Sequence, residues 1–173
     1  MINIEWRKDT LVLLDQTKLP TEITYVHCTD WRQVAEAIKM LRVRGAPAIG
    51  VAASYGLILA AMEAGRQEVP FSEQLTSLYD FSEILKETRP TAINLAWAVD
   101  RVISLVKANV KSLFSMSEVA DLITKEAIII HEEDVSLNCR MAEAGATLFE
   151  GKNNIRILTH CNAGALATGG LGT

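Results

Sequence analysis

Gly45-Ala46-Pro47-Ala48-Ile49-Gly50-Val51-Ala52-Ala53-Ser54-Tyr55-Gly56-Leu57-Ile58-Leu59-Ala60-Ala61-Met62 runs without a charged side chain. An element apolar on every side must be covered on every side, so the rest of the chain has to pack around it. The run sits at the lower limit of length for a membrane span. Its alanines, its glycines and a proline make its apolarity weak, and a buried helix of a soluble domain is the expected form. Pro47 suits the first helical turn, where a missing N–H costs nothing, and Gly65 stands where a C′ residue belongs.

Upstream, Thr29 or Asp30 can cap a helix whose apolar residues Trp31, Val34, Ala35, Ile38 and Leu41 follow helical spacing. The first thirty residues read as an antiparallel meander of three strands, Met1–Trp6, Thr10–Leu14 and Glu22–Cys28, separated by Asp9 and the Asp15–Pro20 turn. Downstream, a helix over about Ser72–Thr88 stops before Pro90. Another covers about Thr91–Asn109, with Ile93, Trp97, Val102, Ile103 and Val106 apolar. A long one, capped by Ser117 with Glu118 behind it, reaches about Glu150 and ends at Gly151. Ile155–Thr159 then has strand character and enters the glycine-rich stretch Cys161–Thr173. A strand feeding such a loop usually opens a βαβ unit. A lone strand of that type has no partner for its backbone groups. The expectation is therefore a fragment: residues 1–150 form a β/helical domain, and residues 151–173 are the start of a truncated Rossmann-like α/β domain.

The chain has 173 residues, 49% of them apolar and 22% charged, which is ordinary globular material. With 17 basic and 21 acidic side chains the net charge is −4. No basic cluster offers a surface for a phosphate backbone, so no nucleic-acid partner is expected. The N-terminus lacks a basic segment followed by an apolar core and is not a signal peptide, and no membrane partner is expected. Three cysteines at wide spacing, Cys28, Cys139 and Cys161, give no disulfide framework and fit a reduced cytoplasmic protein.

Candidate chemistry gathers at two places. Around Gly164 and Gly169 the spacing is that of a phosphate loop, but Gly170 and Leu171 stand where Lys and a hydroxyl belong, so this is no Walker motif. Successive N–H groups after a strand can cradle an anion, and a plain tight turn is the alternative. Cys161 ends the strand pattern, where α/β folds place their sites. It is either a proton-transferring thiol or a buried structural cysteine; Cys28 and Cys139 are read as structural. In the turn Arg42–Pro47, Arg44 offers a planar fork for phosphate, and Gly45 and Ala46 admit a close ligand; a solvated interhelix turn is the bland alternative. Arg89, before Pro90, repeats the theme. His131-Glu132-Glu133-Asp134 lacks the spacing of a zinc helix and reads as a solvated acidic face, with Asp134 and Asn138 paired one turn apart. No metal site is expected.

Three motifs in order, Arg44-Gly45-Ala46-Pro47-Ala48-Ile49-Gly50, Arg89-Pro90-Thr91-Ala92-Ile93-Asn94-Leu95 and Thr159-His160-Cys161-Asn162-Ala163-Gly164-Ala165-Leu166-Ala167-Thr168, resemble those of the methylthioribose-1-phosphate isomerases. The wider superfamily includes ribose-1,5-bisphosphate isomerases and regulatory subunits of the translation initiation factor's nucleotide exchanger. The resemblance implies an α/β protein, cytoplasmic and homodimeric when complete. It implies aldose-to-ketose isomerisation of a small sugar phosphate in methionine salvage, without a cofactor. It makes Arg44, Gly45, Ala46 and Arg89 substrate-binding and Cys161 catalytic. The family's catalytic aspartate falls after the last residue of this sequence, so the chain alone is expected to be inactive. Cys139-Arg140-Met141-Ala142 departs from the family's glycine-bearing version, read here as packing variation. A non-catalytic, metabolite-sensing relative and a ribose-1,5-bisphosphate isomerase are the alternatives.

Overall fold

The computed structural model describes residues 2–160 and 163–172. Strands β1 (Ile4–Arg7), β2 (Thr10–Leu14) and β3 (Tyr25–Cys28) form the meander, each antiparallel to the next, with Ile4 opposite Leu13 and Leu11 opposite Cys28. The strand period puts Ile4, Leu11, Leu13 and Cys28 into the helical core. β2 keeps its expected bounds; the outer strands are shorter than expected because only these residues find a ladder.

Helix α1 (Trp31–Lys39) starts at Asp30, whose carboxylate accepts from the chain ahead while Gln33 reaches back, a complete capping box. The helix stops before Leu41, although the apolar spacing included that residue. Leu41 has φ 60 and is exposed. Arg42 and Val43 turn back to donate to the Ala37 carbonyl, and Val43 takes the core position instead.

Helix α2 (Ala46–Ala64) is the central element, buried nearly throughout and packed on α1, the sheet and all three later helices. Among the described residues it is the one helix long and apolar enough to cross a membrane, and its apolar surface is covered by protein. Gly65 follows in the right-handed region at φ −67. Its smallness answers packing: a Cβ there would lie 2.9 Å from the Met116 Cβ.

Helices α3 (Phe71–Glu87) and α4 (Ile93–Asn109) match expectation within two residues, but the buried face of α4 is Leu95, Val99, Val102 and Val106. Ile93 is 82% exposed and Trp97 half exposed, so those two do not belong to the core face. Helix α5 (Met116–Thr147) is capped by Ser115, with Glu118 closing the box, two residues before the expected cap. Its first half buries Val119, Ile123, Ala127 and Ile130 against α2, and past Asn138 it is largely exposed.

The strand expected over Ile155–Thr159 does not form. Residues 155–160 carry no ladder and Leu158 is 98% exposed, since among the described residues no strand lies beside them. Residues 163–172 are different: a 3-10 turn over Ala165–Ala167 is followed by buried Thr168, seated against the start of α2.

Candidate functional site: the Arg44 turn and the glycine loop

The turn before α2 is held by its first residue. Arg42 gives Nη1 to the buried Asp15 carboxylate at 2.6 Å and Nε to Glu36 at 3.0 Å, and its carbonyl accepts from the Gln16 N–H at 2.8 Å. Burial pushes the Asp15 carboxyl up, but its bonds to Thr17 and Arg42 outweigh that and hold it below its ordinary value. Two residues on, Arg44 is exposed, and among the described residues its guanidinium has no carboxylate or hydrogen-bond partner. Gly45 has φ +100 and serves as N-cap without a side-chain bond, so the first N–H groups of α2 stay uncapped. Ala46 begins the helix, exposed.

Arg89 is half-buried on the turn between α3 and α4, again with no side-chain partner among the described residues. Its carbonyl accepts from the Ala92 N–H at 2.9 Å, and α4 starts after Ala92 with no side-chain cap, unlike α1 and α5. A Cβ on Gly50 would lie 2.9 Å from the Asn94 carbonyl oxygen, so the first turns of α2 and α4 lie side by side. Both sequence motifs therefore open helices at one place. A cleft of about 260 Å³ lies there, with Pro47 and Val51 on one wall, Asn94 and Trp97 on the second, and Ile130 and Asp134 of α5 on the third. Arg101 stacks over the Trp97 ring at 5.4 Å and is itself held by Glu126 and Glu133.

The glycine loop reaches the same end of the molecule. Gly169 is gripped on both sides of its backbone: its N–H donates to Asp134 Oδ2 at 2.7 Å, and its carbonyl lies 3.0 Å from His131 Nε2. A carbonyl only accepts, so Nε2 carries the proton, and in the neutral ring Nδ1 accepts from the Tyr55 hydroxyl at 3.0 Å. Burial, with Glu132 adding to it, pushes the Tyr55 phenol up to about 12, which keeps it a donor. Asn138, 1% exposed, donates to Asp134 Oδ1 at 3.0 Å and fixes that carboxylate. The expected solvated acidic face is thus corrected. Glu132 and Glu133 are exposed, while His131 and Asp134 turn inward to the loop because the helix spacing places them on one face.

Three loop amides already have acceptors inside the chain: Ala167 bonds Gly164 O, Gly169 bonds Asp134, and Gly170 bonds Thr168 Oγ1. Those N–H groups are not an open anion cradle. The loop carbonyls are held too. Asn3 Nδ2 donates to Thr168 O at 2.9 Å and Leu166 O at 3.2 Å, and Gln16 Nε2 to Leu166 O at 2.7 Å. On Gly45, the close approach expected for a ligand is made by the loop itself: a Cβ there would lie 2.7 Å from the Ala167 Cβ.

Cys161 lies outside the described residues. Cys28 is fully buried, and burial pushes its thiol up to about 11; Cys139 is half-buried on α5. Among the described residues no three His, Cys, Asp or Glu side chains group as a metal site. Asn3, Gln16, Tyr55 and His131 were missed by sequence reasoning. Nothing local marks Asn3 or Gln16, since their partners lie about 150 residues or more away. His131 and Asp134 did carry a signal, a shared helix face.

A family model described as the Initiation factor 2 subunit family matches residues 42–171. Among curated relatives, a methylthioribose-1-phosphate isomerase of Desulforamulus reducens is 45% identical over 98% of this chain and 47% of its own length. A 5-deoxyribose 1-phosphate isomerase of Bacillus thuringiensis is 42% identical over 100% and 48%. Of solved structures, the 5-methylthioribose 1-phosphate isomerase of Pyrococcus horikoshii superposes with a TM-score of 0.85 at 42% identity, over 99% of this chain and 46% of that one. The delta subunit of translation initiation factor eIF-2B from A. fulgidus superposes at 0.81 and 39% identity, over 97% and 47%. The chain spans about half the length of the curated relatives it matches. The matched residues take in the Arg44 turn, the Arg89 turn and the glycine loop together, and on that ground the chain belongs to the Initiation factor 2 subunit family.

Proposed function

We propose that the protein, in its full-length form, is a sugar-phosphate isomerase that converts 5-methylthioribose 1-phosphate into 5-methylthioribulose 1-phosphate, the aldose-to-ketose step of methionine salvage. The observation that carries this is the backbone contact of Gly45 with Ala167, which joins the arginine-bearing turn to the loop that follows Cys161. The names of the relatives supply the substrate class.

The chemistry sets the roles. Phosphate on C1 prevents the sugar from opening to a free aldehyde, so the C1–O4 bond must break while a hydrogen moves from C2 to C1. Arg44 and Arg89, without carboxylate partners among the described residues, hold the phosphate dianion through charge-assisted bonds. The uncapped first turns of α2 and α4 add favourable dipoles, and Ala46, exposed at the start of α2, presents its backbone to the substrate while Gly45 gives its own close approach to the loop. Cys161 carries a proton or shapes the field at C1 and C2. No metal or organic cofactor enters. The assignment includes a cytoplasmic homodimer and a division near residue 150, residues 151–173 belonging to an α/β unit. The likeness to an eIF-2B delta subunit supports a second possibility, a metabolite-sensing relative without turnover. Ribose-1,5-bisphosphate is the alternative substrate.

The test is to incubate the full-length gene product with 5-methylthioribose 1-phosphate, 5-deoxyribose 1-phosphate and ribose 1,5-bisphosphate and follow ketose formation by NMR. Turnover is expected with the first and fastest there. Binding without turnover of any of the three would favour the sensing relative.

A further inference from the structure

The N-terminal sheet reaches the glycine loop through two buried amides. Asn3 is 7% exposed and Gln16 5%. Buried amides are costly unless bonded, and these spend their donors on carbonyls of one distant segment. Asn3 Nδ2 serves Thr168 and Leu166. Gln16 Nε2 serves Leu166 at 2.7 Å and the Asn3 Oδ1 at 3.0 Å, so the two side chains also brace each other. Gln16 does one thing more: its backbone N–H donates to the Arg42 carbonyl at 2.8 Å, two residues before Arg44. One residue therefore bonds both the arginine turn and the glycine loop, on the flank of the Gly45–Ala167 contact. On the other side of the loop, His131 and Asp134 hold Gly169.

We infer that Gln16, braced by Asn3, is a positioning residue: it sets the register between the Arg44 turn, which takes the phosphate, and the loop that follows Cys161 in the sequence. This rests on the isomerase assignment for its catalytic consequence, while the clamp itself does not depend on it. The bonds to the loop go to backbone carbonyls only, so the clamp fixes where the loop lies without regard to its side chains. A proton-transfer group displaced from the bound sugar by even about 1 Å loses much of its rate, while the phosphate contacts that set affinity remain.

Gln16→Glu tests it. The side chain keeps its size but presents an acceptor to two acceptors, the Leu166 carbonyl and Asn3 Oδ1. In the full-length protein, amide exchange at Ala167 and Gly169 should speed up about 10-fold or more, as expected when buried acceptors lose their donor. With 5-methylthioribose 1-phosphate, kcat should fall about 10-fold or more and KM change less. Ile38→Val, a core trim in α1, supplies a control that lowers Tm without touching the loop. Gln16→Met, which removes the donor without adding charge, should reproduce both effects more mildly. Unchanged exchange at Ala167 and Gly169 in Gln16→Glu would overturn the clamp. Faster exchange with wild-type kcat would overturn the positioning role. A wild-type protein that turns over no sugar phosphate, with the loop still loosened by Gln16→Glu, would strike the isomerase assignment and leave the clamp standing.

Discussion

Replacing Gly45 with alanine perturbs the junction of the two motifs at its narrowest point. Two costs add. At φ +100 and ψ 133 the backbone lies where L side chains are strained, which costs roughly 1–3 kcal/mol. The new Cβ would also stand 2.6 Å from the Ala167 carbonyl oxygen and 2.7 Å from its Cβ. These are groups of a clamped loop and cannot swing aside, so the loop must withdraw. Withdrawal stretches the bonds from Gln16 to Leu166 and from Asn3 to Thr168, at about 1 kcal/mol each. The expected loss is about 3–5 kcal/mol. Gly151→Ala isolates the first cost: Gly151 also has positive φ, +69, but nothing lies within 4 Å of its Cβ, so about 1–2 kcal/mol is expected there. Urea unfolding of both variants, with amide exchange at Ala167, separates the contributions. If Gly45→Ala cost no more than Gly151→Ala and left Ala167 protected, the described contact between turn and loop would be refuted.

Arg44→Ala and Arg89→Ala should each weaken sugar-phosphate binding about 10-fold or more, measured by calorimetry, with Tm near wild type because neither guanidinium supports an ion pair among the described residues. Cys28, buried with its thiol raised to about 11, should resist a maleimide at pH 8 in the native protein and react only on unfolding, as read by mass spectrometry. Asp15 is depressed in the folded protein, so its contribution is present above the ordinary carboxylate value of about 4 and lost as pH falls through the lower folded value; urea titrations should show a shallower acid loss in Asp15→Asn than in wild type.

The helical core was legible because its signals are local. The uncharged run gave α2, Asp30 its cap and Pro90 a boundary, all within a few residues of the element each defines. Where the sequence misled, a tertiary contact had replaced a local rule. Gly65 looks like a left-handed cap and is small for Met116. Leu41 continues a periodicity that the chain abandons so that Arg42 can reach Asp15. Ile155–Thr159 has strand composition, but a strand needs a neighbour, and among the described residues it has none. The site divides the same way. Arg44, Gly45 and Arg89 stand out by residue type before a helix. Asn3 and Gln16 act across about 150 residues or more and leave no mark in their own neighbourhood, while the placement of His131 and Asp134 on one face was visible but looked like solvated charge.

The most direct test of the catalytic assignment is the kcat of Cys161→Ser in the full-length protein with 5-methylthioribose 1-phosphate, beside wild type and Cys28→Ser. A hydroxyl keeps the shape but is a far weaker acid than a thiol. The expected result is a fall of about 10²–10⁴ in kcat for Cys161→Ser, with substrate affinity and Tm close to wild type and Cys28→Ser retaining turnover. A Cys161→Ser enzyme turning over within a few-fold of wild type would contradict the assignment and make the thiol structural.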